Sequence, residues 1–194
     1  MRILIVLSFF ILSGGCQMSI TDVFQSRNVE PPAQLTVAEQ FVGMNEQTDR
    51  VTLKEFMGID PARVEWCAAF VNSVLSDVDI TGTGSLMARS YLDWGKSTDT
   101  PSPGDIMVFS RGNSNWQGHV GFYVATVTYK NTAYWIVLGG NQDNSVSYRM
   151  YKVGHRRHLE TRTLNDAPVK LETLRAMQWM LDGIPLEVIR DNAN

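Results

Sequence analysis

Residues 64–75 restrict the fold more than any other stretch, because they can bury their apolar side chains together only as a helix. The residues that recur at intervals of three and four, the spacing of one helix face, are Cys67, Phe70, Val71, Val74 and Val78. Asp60-Pro61 just upstream is typical of a helix start, with an N-cap residue followed by proline. The pattern predicts a helix that reaches about Asp77.

Cys67 lies near the start of this helix, on the edge of its apolar face. Backbone N–H groups and the positive end of the helix dipole meet there, and both favour a thiolate over a thiol. The alternative is a small apolar residue that fills space in the core, which is where a free cysteine usually lies. The helix alone leaves both interpretations open.

The N-terminus has the pattern of an export signal. Met1-Arg2 is positive, residues 3–12 form an apolar run too short to span a bilayer comfortably, and small residues precede Cys16. The sequence 12–16 resembles a bacterial lipoprotein box, which predicts a signal peptide over 1–15, a lipid on Cys16 and a membrane-anchored envelope protein. The alternative is an ordinary cleaved signal. In the first case Cys67 is the second of two cysteines and has no disulfide partner.

The rest of the chain predicts one α+β domain. Residues 16–35 are polar, contain two prolines and read as a tether. Helical patterns come first in 36–160 and alternating strand patterns follow, which is typical of helices packed on an antiparallel sheet. Residues 161–194 are predicted to be a C-terminal extension, with a helix over 171–181.

Several classes of function lack their sequence signals. The net charge is −3 and there is no basic block, so nothing favours nucleic acid as a partner. No Cys-X-X-Cys or His-Glu-X-X-His spacing predicts a metal, no Gly-X-Ser-X-Gly turn predicts a serine hydrolase, and no cofactor is expected. His155 and His158 lie in a polar run and are predicted to be solvent-exposed.

His119 is the histidine best placed to serve Cys67 as a base. It opens the strand 118–125 on the face opposite Val120 and Phe122. If the following hairpin turns near Lys130, paired residues have numbers that sum to about 260, which places His119 opposite Asn141 within one or two residues. An amide there can fix the imidazole tautomer. The alternatives are a structural histidine and a turn residue after Gly139-Gly140.

Five ordered segments resemble the NlpC-type cell-wall peptidases, in the phage-endolysin-like branch near the CHAP amidases. They cover about residues 36–160 and contain the sequences EWCAAFVN (65–72), SLMARSYLDWG (85–95), PGDIMVF (103–109), GHVGF (118–122) and LGGNQ (138–142). The resemblance implies a papain-like α+β fold. It places the nucleophile at Cys67, the base at His119 and the third polar residue at Asn141.

The resemblance also implies the reaction and the partner. The expected activity is hydrolysis of amide bonds in peptidoglycan stem peptides, with Trp116 as the best candidate to line a substrate groove. Two alternatives stay open: a non-catalytic peptidoglycan-binding or interaction lipoprotein on the same fold, and an acyltransferase that uses the same thioester. The bond that is cut does not follow from the sequence.

Overall fold

The computed structural model of the chain describes residues 31–164. Helices come first along the described residues and strands follow. The helices are α1 (Ala33–Glu39), α2 (Arg50–Met57), α3 (Cys67–Asp77) and a 3-10 helix (Ala88–Asp93). The strands are β1 (Lys96–Ser97), β2 (Ile106–Ser110), β3 (Gly118–Tyr129), β4 (Thr132–Gln142), β5 (Ser145–Lys152) and β6 (His158–Thr163).

The six strands form one antiparallel sheet in the order β1-β6-β2-β3-β4-β5. The helix α3 packs on β3 and β4, and the two shorter helices α1 and α2 pack against α3. The core therefore lies between α3 and the centre of the sheet, where buried Phe70 and Val71 meet Val120 and Phe122. The predicted α+β class is confirmed.

The central helix begins later than its upstream signal predicted. Trp66 is its N-cap and Cys67 its first residue, so the prediction that Asp60-Pro61 opens this helix is wrong. Asp60 instead forms an ion pair with Arg50 of α2. This ion pair accounts for an aspartate at a position that does not cap a helix. Because α3 begins at Cys67, the thiol lies in the first turn of the helix.

Gly140 allows α3 to approach the sheet closely. A Cβ atom on this residue would lie 2.8 Å from the Phe70 Cβ and 2.5 Å from the Trp66 ring, both closer than real contacts allow. The indole of Trp66 is fully buried, and its Nε1 donates a 2.9 Å hydrogen bond to Glu46. The missing side chain thus lets the start of α3 lie directly over the end of β4.

A tight turn joins β3 to β4 at Lys130 and Asn131, whose φ angles are +46° and +61°. Two successive left-handed residues are typical of the type I′ hairpin, whose twist matches that of the strands. Near the turn the paired residue numbers sum to 261, as in Thr128↔Ala133, and beyond an irregularity at Tyr123/Ala125 they sum to 260, as in Phe122↔Leu138. The predicted sum of about 260 is confirmed.

The sheet and helices extend slightly past the predicted domain boundaries. α1 begins at Ala33, inside the predicted tether, and β6 reaches Thr163, where it pairs with β1. The signal peptide, the lipid site Cys16 and the helix over 171–181 lie outside the described residues. Among residues 31–164, each helix is too short or too polar to cross a bilayer.

Candidate active site

Cys67 lies where the first turn of α3 meets the start of β3. Its side chain is only 2% exposed. The backbone of Val120 and of Ala68 lies near the sulfur and lowers the pKa of the thiol. Since Val120 follows His119 directly, the fold brings the predicted nucleophile to the strand segment that carries the predicted base. These two residues are separated by about fifty positions in the sequence.

Burial decides the protonation of Cys67. Loss of water raises the pKa of the thiol, and this effect exceeds the opposite effects of the Arg111 charge and of the Val120 and Ala68 backbone. The sequence predicted that the helix start would favour the thiolate; the Ala68 backbone does act in that direction, but burial outweighs it in the resting protein. The helix terminus does supply N–H groups, but it supplies them in a site from which water is excluded.

His119 is the second residue of β3, paired with Phe109 of β2, and is 3% exposed. Its Nε2 lies 3.2 Å from the Oε1 atom of Gln142, and its Nδ1 lies 3.5 Å from Nη2 of Arg111. A side chain on Gly139 would meet the imidazole, because a Cβ there would be 3.3 Å from Nε2. The imidazole of His119 therefore lies between the Gln142 amide, the Arg111 guanidinium and the backbone of Gly139.

The amide of Gln142 fixes the tautomer of this imidazole. Its Nε2 donates to the carbonyl oxygens of Gly139, at 3.3 Å, and Ser147. Carbonyl oxygens can only accept, so the amide nitrogen must face them and the amide oxygen must face His119. The Nε2 of His119 therefore carries the proton, and Nδ1 keeps its lone pair. Nδ1, which faces Nη2 of Arg111 at 3.5 Å, is therefore the ring nitrogen that can accept a proton.

Asn141 does not make the contact predicted for it. Its Nδ2 donates a 2.7 Å hydrogen bond to Oε2 of Glu65, and the acceptor that faces His119 belongs to Gln142. The reason is a β-bulge: Gly139 pairs with Ser147 but Gln142 with Ser145, so two residues of β4 oppose one of β5. Asn141 lies in this bulge with φ +56°. Strict alternation fails there, and the next side chain reaches the histidine.

Arg111 and Glu65 form a polar bridge at the site, and the sequence analysis missed both residues. Nη1 of Arg111 donates to Oε2 of Glu65 at 2.8 Å, and its Nη2 donates to the backbone oxygen of Asn141 at 3.1 Å. Together with the bond from the Asn141 amide to Glu65, these contacts close a ring of three residues. Glu65 opens the segment EWCAAFVN and could have been found from it. Arg111 lies in a loop directly after β2, where no sequence pattern marks it.

The environment of His119 keeps the imidazole neutral. Burial lowers the pKa of His119 to about 3, and the charges of Arg111 and Arg149 act in the same direction. The hydrogen bond to Gln142 acts in the opposite direction and is too weak to prevail. With the pKa of the Cys67 thiol raised, the resting pair consists of a neutral thiol and a neutral base at physiological pH.

A groove of about 210 Å³ runs past Cys67 and Gly118. Its walls include Met87, Arg111 and Trp116, and the Trp116 side chain is 61% exposed. An exposed indole beside a nucleophile offers an apolar surface to a substrate. The structure therefore places Trp116 and Cys67 in the walls of one groove, as a substrate-binding role for Trp116 requires.

The other two histidines are half-buried, so they are less exposed than the polar run around them predicted. His158 packs against Phe109 and Trp135, and its Nε2 lies 3.0 Å from the hydroxyl of Thr161. His155 lines a second cavity together with Arg111 and His119. Within residues 31–164, no three side chains of the metal-binding types come together as a metal site would require.

Comparison with known proteins adds a family match to this geometry. Residues 59–141 match the family model described as CHAP domain. The match begins before α3, includes Cys67 and His119, and ends one residue before Gln142. No curated protein matches the chain significantly.

Proposed function

We propose that the chain is a cell-wall hydrolase like the CHAP and NlpC-like peptidases, and that it hydrolyses amide bonds in peptidoglycan stem peptides with Cys67 as nucleophile; its residues 59–141 match the CHAP family model. CHAP domains indicate peptidoglycan hydrolysis in general terms. The finer assignment is supported by one observation: the sulfur of Cys67 lies near the backbone of Val120, the residue that follows His119, and Gln142 holds the imidazole of His119 in one tautomer.

In the proposed mechanism, the sulfur of Cys67 attacks the amide carbonyl while its proton passes to Nδ1 of His119. The imidazolium then protonates the leaving amine, and an acyl-enzyme remains on the sulfur. His119 next takes a proton from a water molecule whose oxygen attacks the thioester carbon; the C–S bond then breaks, His119 returns the proton to the Cys67 sulfur, and the acyl group leaves as a carboxylic acid. Gln142 accepts the Nε2–H bond throughout and stabilises the charged ring.

The start of α3 supplies stabilisation for the developing oxyanion. Cys67 is the first residue of the helix, and backbone N–H groups in the first turn have no acceptor within the helix. Its N–H is therefore available to the oxygen of a tetrahedral intermediate formed on the adjacent sulfur. We propose that Trp116 holds the substrate in the groove beside this position.

Incubation of the purified protein with purified peptidoglycan sacculi tests the activity. We expect soluble muropeptides in which each cut has produced one new amine and one new carboxylate, because amide hydrolysis adds one water molecule across the bond. Mass spectrometry of the products identifies the bond. Co-sedimentation with sacculi without release would favour the non-catalytic wall-binding alternative, and product formed only with an added amine would favour acyl transfer.

We further propose that the mature protein is anchored to a membrane of the cell envelope through a lipid on Cys16. The support is the sequence alone: a charged start, an apolar run and small residues before this cysteine. Labelling of cells with a fatty-acid analogue is expected to mark the wild-type protein and not a Cys16→Ser variant. A Cys67→Ser variant should be labelled like wild type, and absence of label from the wild type would contradict the anchor.

A further inference from the structure

A cavity of about 160 Å³ adjoins His119, and Arg111 lines both this cavity and the groove that contains Cys67. Its wall contains three arginines, two histidines and several neutral groups, and no aspartate or glutamate. The charged and titratable members of the wall are Arg111, Arg149, Arg157, His119 and His155. A concave surface with this composition favours an anion.

The carboxylates that pair with two of these arginines lie near solvent. Arg149 is buried and forms an ion pair with Asp143, whose side chain is 56% exposed. Arg111 pairs with Glu65, whose side chain is 75% exposed. Water screens the exposed carboxylates more than it screens guanidinium groups in the cavity wall. The lowered pKa of His119 is consistent with this, because the charges of Arg111 and Arg149 both contribute to it.

The neutral groups of the wall leave the recognition of a carboxylate to the arginines. The hydroxyl groups of Ser110 and Tyr151 donate to the Arg157 backbone oxygen and to Gln142, and Phe109 provides an apolar side. A planar guanidinium presents paired N–H donors that match the two oxygens of a carboxylate. The cavity is small, and it adjoins the same arginine that lines the catalytic groove. A peptide that lies in the groove can thus reach the cavity with an acidic side chain or a terminal carboxylate.

We propose that this cavity is a subsite for a free carboxylate of the peptide substrate, so that the enzyme prefers acidic stem peptides to their amidated forms. This inference rests on the proposed function. In the bound state the carboxylate pairs with Arg157 and Arg111 and offsets the positive charge beside His119. Protonation of the His119 imidazole then costs less free energy, so substrate binding assists the proton transfer from Cys67.

The test compares two synthetic stem peptides, one with its free carboxylates and one with these groups converted to amides. Wild-type protein is expected to hydrolyse the acidic peptide with a kcat/KM about tenfold higher, the factor that one charge-assisted hydrogen bond provides. In Arg157→Gln the preference should fall to near unity, mainly through KM for the acidic peptide. Arg157 uses its backbone oxygen to bind Ser110, and this contact survives the substitution.

Arg156→Gln is the matched control. Arg156 is the exposed neighbour of Arg157, carries the same charge and does not line the cavity. This variant should keep the wild-type preference, and thermal unfolding should show both variants folded. Equal hydrolysis of the two peptides by wild-type protein, or equal loss of preference in both variants, would overturn the subsite and leave the hydrolase intact.

Two further measurements separate the remaining outcomes. If wild-type protein hydrolyses neither peptide, the proposed function fails. Direct binding of the two peptides then tests the subsite by itself. Binding of the acidic peptide that depends on Arg157 supports the subsite, and absence of such binding overturns it. Inorganic phosphate added to the hydrolysis reaction identifies the ligand class. Weak inhibition is expected for a carboxylate site within a peptide groove, whereas Arg157-dependent phosphate binding that is tighter than peptide binding would overturn a substrate role.

Discussion

Cys67→Ala is expected to lower the release of peptides from peptidoglycan by at least about 10³-fold, because loss of a nucleophile removes the covalent route and leaves only binding and oxyanion stabilisation. The fold should survive, since alanine fits a buried site whose neighbours on α3 include Ala68 and Ala69. Release of muropeptides per folded protein, with folding followed by circular dichroism, gives the measurement.

The matched control for this substitution lies on the same helix. Ser76→Ala changes one exposed side chain near the other end of α3 and should leave the rate unchanged. Wild-type rates in Cys67→Ala would show that hydrolysis does not use the thiol and would remove the proposed mechanism. Cys67→Ser should behave as the alanine variant does, because a hydroxyl is a far poorer nucleophile than a thiolate beside the same imidazole.

Gln142→Ala is expected to lower kcat by about 10²-fold, through loss of the acceptor that holds the Nε2–H tautomer of His119 and stabilises the imidazolium. It should also destabilise the protein by about 1–3 kcal/mol, because the buried carbonyls of Gly139 and Ser147 lose their donor. Rates normalised to folded protein separate the two effects.

Comparison of Asn141→Gly with Gln142→Ala decides which of these two side chains acts as the third polar residue beside Cys67 and His119. Glycine accepts the left-handed backbone at this position, so the variant removes the amide without adding strain. We expect a smaller loss of kcat than in Gln142→Ala, since the Asn141 amide contacts Glu65 and not the imidazole. A larger loss in Asn141→Gly would restore the Cys-His-Asn assignment that the resemblance implied.

In the resting site, polar side chains lie around the Cys67 thiol and the His119 imidazole. Cys67 and His119 are both buried, and Arg111 lies against the imidazole while it holds Glu65 and the Asn141 backbone. Buried, neutral groups react slowly with solvent species, and the thiolate is the reactive form of cysteine. Because the Arg111 charge lowers the pKa of His119, a ligand that displaces or neutralises Arg111 would raise that pKa.

Local patterns predicted those parts of the fold that depend on residues near in sequence. The helix through Cys67 and the strand patterns from residue 106 onward were foreseen from apolar periodicity. The hairpin register followed from the turn at Lys130, because two-residue turns fix the pairing of the strands they join. A bulge breaks such a count. Glycine and asparagine at 140 and 141 are residue types that bulges favour, but they do not by themselves say which side chain then faces His119.

The sequence by itself therefore determined the α+β class, the helix that carries the thiol and the strand that carries the histidine, since each follows from spacing along one segment. Only the tertiary structure decided that Gln142 and not Asn141 holds His119, that burial overrides the helix dipole at Cys67, and that Arg111 and Glu65 join the site. These features depend on which side chains from distant segments share one water-excluded volume. A one-residue bulge or the loss of water changes that outcome without changing any local pattern.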